Sequence, residues 1–197
     1  MRLIITRHGE TLENQQGIMQ GHIPGILSKE GIIQAQKLAK RLSTEKIDVI
    51  YSSDLARGAD TAREIAKYHP HLKIKLVQEL RERNLGELNG TKKSDLGLDE
   101  NKFYATSLGP KNGESLEQLY QRAKKFLDEV LHQHKKETVL FVGHNGINKA
   151  LIAVITNKTS ADLPHIENHK NTSVNIYEID EDRKHKIILF NCIKHLE

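Results

Sequence analysis

Leu3 to Thr6 form a short apolar run that passes into Arg7-His8-Gly9-Glu10, and a second β-branched run, Thr138 to Val142, ends in Gly143-His144-Asn145-Gly146. Two strands thus deliver two histidines to the carboxyl edge of a sheet, where open α/β folds keep their ligands. Imidazole can act there as a nucleophile, as an acid or base, or as a hydrogen-bond donor to an anion. Each of these histidines ends its strand beside a glycine, which lets a ligand approach the backbone closely. A buried histidine tied down by hydrogen bonds would explain either one alone; two of them, with Arg7, weaken that alternative. Arg57 adds a separate clue. It falls in the first turn of a helix, where the positive end of the macrodipole disfavours a cation by up to about 1 kcal/mol. A bound anion removes the conflict, and the bidentate fork of arginine suits phosphate. A salt bridge to Asp54 or Asp60 is the competing explanation.

Most of the eleven histidines carry no such signal. His69, His71, His132, His134, His165, His169, His185 and His195 lie in polar or turn-like contexts and read as surface. His132 and His134 are two apart on a helix and point to different faces, which argues against a shared metal. The chain has no His-Glu-x-x-His, Cys-x-x-Cys or Asp-rich loop, so neither a metal nor another cofactor is expected.

The elements that must position these groups alternate between strand and helix, the pattern of a three-layer α/β/α sandwich with a mainly parallel sheet. The first strand covers about residues 2–7. Ser28 caps a helix with Ile32, Ala35, Leu38, Ala39 and Leu42 on one face. A strand over Ile47–Tyr51 follows, then a helix capped by Ser53 or Asp54 that carries Leu55, Ala59, Ala62, Ile65 and Ala66. Leu72 to Leu76 alternates with period two, as a half-exposed or edge strand does. Ser115 and Gln118 form a capping box for a long helix with the stripe Leu116, Leu119, Tyr120, Ala123, Phe126, Leu127, Val130 and Leu131. After the strand to Val142 come a helix over Asn145–Ile155 and two closing strands, Ser173–Ile179 and Lys186–Ile193, with a hairpin around Asp180 to Arg183.

Residues 84–112 break the alternation with repeated glycines and one short helix near Asp99 to Ser107, so this segment is expected to cap the carboxyl ends of the strands. The 197 residues suffice for one well-buried core, and a single domain over 1–197 is expected. The lone Cys192 excludes an intrachain disulfide, only four apolar or near-apolar residues follow Arg2, and Gly143, His144 and Lys149 interrupt the longest apolar stretches. A soluble cytoplasmic protein, with no membrane partner, is the expectation. The net charge of +4 favours anionic partners, yet the lysines are scattered and aromatics are few. A small anionic substrate therefore fits better than nucleic acid, and Lys92-Lys93 and Lys135-Lys136 read as solvated surface. A homodimer is compatible with the chain.

From about Leu3 to Ser173 the chain resembles the histidine phosphatase superfamily, in its phosphoglycerate-mutase-like branch. The resemblance rests on Arg7-His8-Gly9-Glu10-Thr11 followed by Asn14, then Gln20-Gly21, Leu27 to Gly31, Tyr51 to Arg57 with Thr61-Ala62, Leu80-Arg81-Glu82, Gly113-Glu114-Ser115 and Gly143 to Gly146, in the family's order. It implies that neutral His8 attacks phosphorus in line to form a phosphohistidine, while Arg7, Arg57, His144 and Asn14 hold the phosphoryl oxygens. Gln20, Gly21 and Asn145 are carried over as further phosphate- or substrate-binding positions. Nearby cations would lower the His8 pKa and favour its neutral form. The resemblance also implies that Glu82 donates the proton to the leaving group. By residue type alone Glu79, Glu82 and Glu87 are equivalent, and only the Leu80-Arg81-Glu82 match selects the middle one. Glu114 is explained by its place beside the Ser115 cap.

Two departures bear on the leaving-group pocket. Asn84 to Gly90 stands where relatives often place aromatics, and Asn145 replaces a small residue. The activity implied is a metal-independent phosphomonoesterase acting on small phosphorylated metabolites. A cofactor-dependent phosphoglycerate mutase is the alternative, although such mutases carry a long insertion where only 30 residues separate Glu82 from Gly113. A non-catalytic binding or regulatory module of the same fold is a second alternative, disfavoured because no site residue is missing.

Overall fold

The computed structural model describes residues 1–96 and 110–197; the short helix expected near Asp99 to Ser107 lies outside them. Six strands, β1 (Arg2–Arg7), β2 (Val49–Ser53), β3 (Ile74–Val77), β4 (Thr138–Gly143), β5 (Val174–Ile179) and β6 (His185–Cys192), form one sheet in the order β3-β2-β4-β1-β5-β6. The first four in that order run parallel, and the β5–β6 hairpin adds antiparallel pairing on the β1 side. Arg7 pairs with Gly143 across β1 and β4, so His8 and His144 leave the sheet side by side.

Helix α1 (Leu12–Gln15) follows β1. Strand alternation divides the core in two. Ile4, Ile50, Leu140 and Val142 face helices α2 (Lys29–Leu42) and α3 (Ala56–Ala66), while Leu3, Ile5, Val139 and Phe141 face α4 (Leu116–Gln133) and α5 (Asn145–Ile155). The result is the expected three-layer arrangement. Among the described residues no helix is long and apolar enough to cross a membrane.

Both expected capping residues with nearby partners are found. Ser28 Oγ accepts from Gly31 N at 2.9 Å, and Ser115 and Gln118 form a reciprocal box. Three local expectations need correction. Ile32 is exposed, and Gly31 takes the inward position at the start of α2. β2 starts at Val49 rather than Ile47, because Asp48 turns to hold β4, its Oδ2 accepting from Thr138 N at 2.8 Å. Neither Ser53 nor Asp54 caps α3; Leu55 occupies that position, and Asp54 instead forms a two-point ion pair with Arg81 at 2.7 and 2.6 Å.

Candidate active site

The carboxyl ends of β1, β2 and β4 converge on a cavity of about 150 Å³, lined by Arg7, His8, Asn14, Gln20, Gly21, Arg57, Glu82 and Asn145. That volume lies below the roughly 300–1,000 Å³ of sites for drug-sized ligands, so it suits a small molecule. The wall is completed by Gly17, Ile18, Met19, Arg83, Leu85, Lys93 and Asn168. Lys93 is half-buried there rather than a solvated surface residue. Leu85 and Lys93 come from the segment 84–96, which is fastened to the preceding loop by Gly90 N to Met19 O and Met19 N to Thr91 O.

His8 is buried, and its Nδ1 lies 2.7 Å from the carbonyl of Gly9. A carbonyl only accepts, so Nδ1 carries the proton and Nε2 keeps the lone pair. Burial, then the charges of Arg57 and Arg7, hold the His8 pKa well below its ordinary value. A neutral imidazole with one defined lone pair is the form a nucleophile requires. Gly9 serves packing rather than ligand approach, since a Cβ there would meet the Gly31 carbonyl oxygen at 2.4 Å.

Arg57 departs most from expectation. It bridges neither to Asp54 nor to Asp60, which is paired with Arg63. Its guanidinium is buried in a nest of backbone: Nη1 donates to Ile23 O and Pro24 O, Nη2 to Gly21 O at 2.9 Å, and Nε to His144 Nδ1 at 3.1 Å. Of the five N–H groups of an arginine, one on Nη2 remains for a ligand. Arg57 therefore offers the cavity a fixed charge and a single donor rather than a bidentate fork. Burial lowers its pKa to about 10, against the opposing charge of Glu82, so it remains a cation at neutral pH.

His144 is fully buried, with its ring centroid 5.0 Å from that of His8, but it stands behind the cavity wall. Accepting from Arg57 at Nδ1 leaves its proton on Nε2, a buried donor with no acceptor among the described residues. Burial and the Arg57 charge keep its pKa well below the ordinary histidine value. Arg7 is tied by Nη1 to the carbonyl of His169 at 2.6 Å.

Of the three candidate carboxylates, Glu82 is the one on the cavity wall. Its carboxylate accepts from Arg83 N at 2.9 Å, Gly146 N at 3.1 Å and Ile147 N at 3.3 Å, and so lies on the N-terminus of α5, a favourable place for a negative group. Gly146 makes this approach feasible, because a Cβ there would sit 2.4 Å from Glu82 Oε1. Glu79 is exposed and off the cavity wall, and Glu87 is paired with Lys111.

Two histidines expected at the surface lie inside the protein. His69 and His169 are buried, not superficial. His169 fixes Arg7 through its carbonyl, while its own ring is held by Asn175 at 3.1 Å. His22 passed without notice; its Nε2 donates to Glu82 O at 2.9 Å.

The buried histidines make stability depend on pH. His8 and His144 lie well below the ordinary value, and burial pushes His169 down to about 3. Below about pH 6.5 the unfolded chain takes up protons that these rings refuse in the fold, so stability is full above that pH and falls below it by about 1.4 kcal/mol per pH unit for each histidine. Urea unfolding at pH 7.5, 6.0 and 5.0 should show this decline, and His169→Gln should remove about one proton from the slope. An unchanged slope would show that His169 is not held neutral.

With this geometry in place, comparison with known proteins is specific. Residues 3–192 match the histidine phosphatase superfamily (branch 1). The chain is 34% identical to phosphoglycerate mutase-like protein 4 of Arabidopsis thaliana, covering 99% of this chain and 86% of that protein. It is likewise 34% identical to a metal-independent phosphoserine phosphatase of Arabidopsis thaliana, covering 98% and 82%. The crystal structure of an Entamoeba histolytica phosphoserine phosphatase in complex with 3-phosphoglyceric acid superposes with a TM-score of 0.86 at 25% identity, over 100% of this chain and 99% of that one. The chain belongs to the histidine phosphatase superfamily.

Proposed function

We propose that the protein is a metal-independent phosphomonoesterase that hydrolyses small phosphorylated metabolites through a phosphohistidine on His8. The observation that carries this is the His8 ring, neutral, with Nε2 unprotonated, between two arginines on the wall of a small cavity. His8 Nε2 attacks phosphorus, the ester P–O bond breaks, and Glu82 gives its proton to the departing alkoxide. Glu82 then takes a proton from water, whose oxygen attacks phosphorus as the P–Nε2 bond breaks, releasing phosphate and neutral His8. Arg7 and the remaining Arg57 donor stabilise the charge spreading over the phosphoryl oxygens, and His144, behind the wall, holds the Arg57 guanidinium in place through Nδ1. Asn14, Gln20, Gly21 and Asn145 complete the cradle.

The phosphatase names of relatives covering nearly the whole chain support hydrolysis. We read 1–197 as one catalytic unit with 84–112 as its cap, acting in the cytoplasm, where a lone Cys192 is at home.

The test is an initial-rate screen of phosphomonoesters, phosphoserine among them, with 3-phosphoglycerate isomerisation measured in parallel. Hydrolysis should persist in excess EDTA and be blocked by vanadate, which mimics five-coordinate phosphorus. Activity lost on chelation and restored by a divalent ion would overturn the metal-free reading, and isomerisation outpacing hydrolysis would make the protein a mutase.

A further inference from the structure

Glu82 belongs to a stretch with no ladder to hold it: the preceding 3₁₀ turn ends at Leu80, and residues 81–85 form neither helix nor strand. Its main chain is held instead by side chains, foremost one on α4. Arg122 Nη1 donates to Glu79 O at 2.6 Å and Arg81 O at 2.9 Å, and Nη2 donates to Glu82 O at 3.2 Å. Nε and Nη2 also form a two-point pair with Glu114, both at 2.8 Å. All five N–H groups are thereby engaged.

Glu114 extends the clamp. Its Oε2 accepts from Asn84 N at 3.2 Å, and its carbonyl accepts from Arg83 Nε at 2.7 Å. Every residue of the stretch 81–84 thus has a bond to Arg122 or Glu114. The pair is only partly solvent-exposed, 21% for Arg122 and 14% for Glu114, and neither residue lines the catalytic cavity. They flank a separate groove behind it, together with His22, whose Nε2 donates to the same Glu82 carbonyl. With the Glu82 carboxylate seated on the α5 N-terminus, the main-chain end is the one that can drift, and the clamp fixes it. Proton transfer needs heavy atoms within about 3 Å of each other, so a small drift is costly.

We infer that Arg122, paired with Glu114, is a positioning residue for proton transfer by Glu82. This rests on the reading of Glu82 as the proton donor. A lysine at 122 keeps the charge but cannot reproduce the planar fork. Arg122→Lys should lower kcat for an alkyl phosphate such as phosphoserine by about 10- to 100-fold and for p-nitrophenyl phosphate, whose phenolate leaves without help, by less than about 3-fold. KM and the vanadate dissociation constant should hold, since the phosphate cradle is untouched. Glu114→Gln, a milder change at the other end of the pair, should show the same split.

The decisive comparison is with Glu82→Gln. That variant should itself show the alkyl-over-aryl loss, and adding Arg122→Lys to it should cost less than about 3-fold more, because residues acting through one group are not additive. Equal losses on both substrates, weakened vanadate binding in parallel with kcat, or a full additional loss in the Glu82→Gln background would each overturn the positioning role while leaving Glu82 in place. Glu82→Gln without leaving-group dependence would overturn the acid assignment and the clamp together.

Discussion

His8→Ala should lower turnover by about 10⁴-fold or more, the scale on which loss of a nucleophile is felt when the rest of the site remains, and should abolish the phosphoenzyme. Rapid quenching of the wild-type protein with labelled substrate should trap phosphate in an acid-labile, base-stable linkage, as a phosphoramidate requires. The structure specifies the bonded atom: Nδ1 is committed to the Gly9 carbonyl, so phosphorus must be carried on Nε2. His144→Ala separates nucleophile from support. Its Nδ1 accepts from Arg57 and its Nε2–H meets no acceptor among the described residues, so that variant should slow the transfer but still label His8. Label retained in His8→Ala, or mapped to His144, would remove the central assignment.

What could be read from the chain was whatever had its cause nearby in sequence. The Ser115–Gln118 box and the Ser28 cap join residues three apart, and both are found. The two histidine strands declared themselves by β-branched apolar runs. Failures arose where the deciding partner is distant. Asp54 looked like a cap until Arg81, 27 residues on, drew its carboxylate away. Arg57 looked like a phosphate fork because nothing local shows that residues 21–24 fold back to present three carbonyls to it. Arg122 occupies a polar position between the apolar residues of the α4 stripe, where periodicity assigns it to solvent, and its clamp on residues 79–82 is invisible without the tertiary structure. His69 and His169 sit in polar segments, yet packing buries both; sequence polarity reports the neighbours in the chain, not those in space.

Arg57 is the residue whose replacement should harm both activity and folding, and two variants divide those roles. Arg57→Met removes the charge and leaves Gly21 O, Ile23 O and the buried His144 Nδ1 without their side-chain donor, while Pro24 O keeps the main-chain N–H of residue 57. Each unsatisfied buried group costs about 1–3 kcal/mol, so the loss of stability in urea unfolding should be about 3 kcal/mol or more, with faster amide exchange in the 17–25 loop. Arg57→Lys retains the cation and can satisfy some of those carbonyls, so it should recover part of the stability. It cannot meet all three carbonyls and His144 Nδ1 at once, because a lysine has three donors on a single atom. With the His144 ring and the remaining donor misplaced, kcat/KM should fall by about 10³-fold, equivalent to about 4 kcal/mol of transition-state stabilisation. If Arg57→Lys is instead as stable and as active as the wild type, the directed bonds matter little and Arg57 serves the phosphoryl group as a point charge alone. If it regains activity without stability, the carbonyl nest is structural and the charge is what catalysis uses. Only loss of activity with partial rescue of the fold supports the arrangement seen here, in which one guanidinium builds the wall of the site and leaves a single N–H for the substrate.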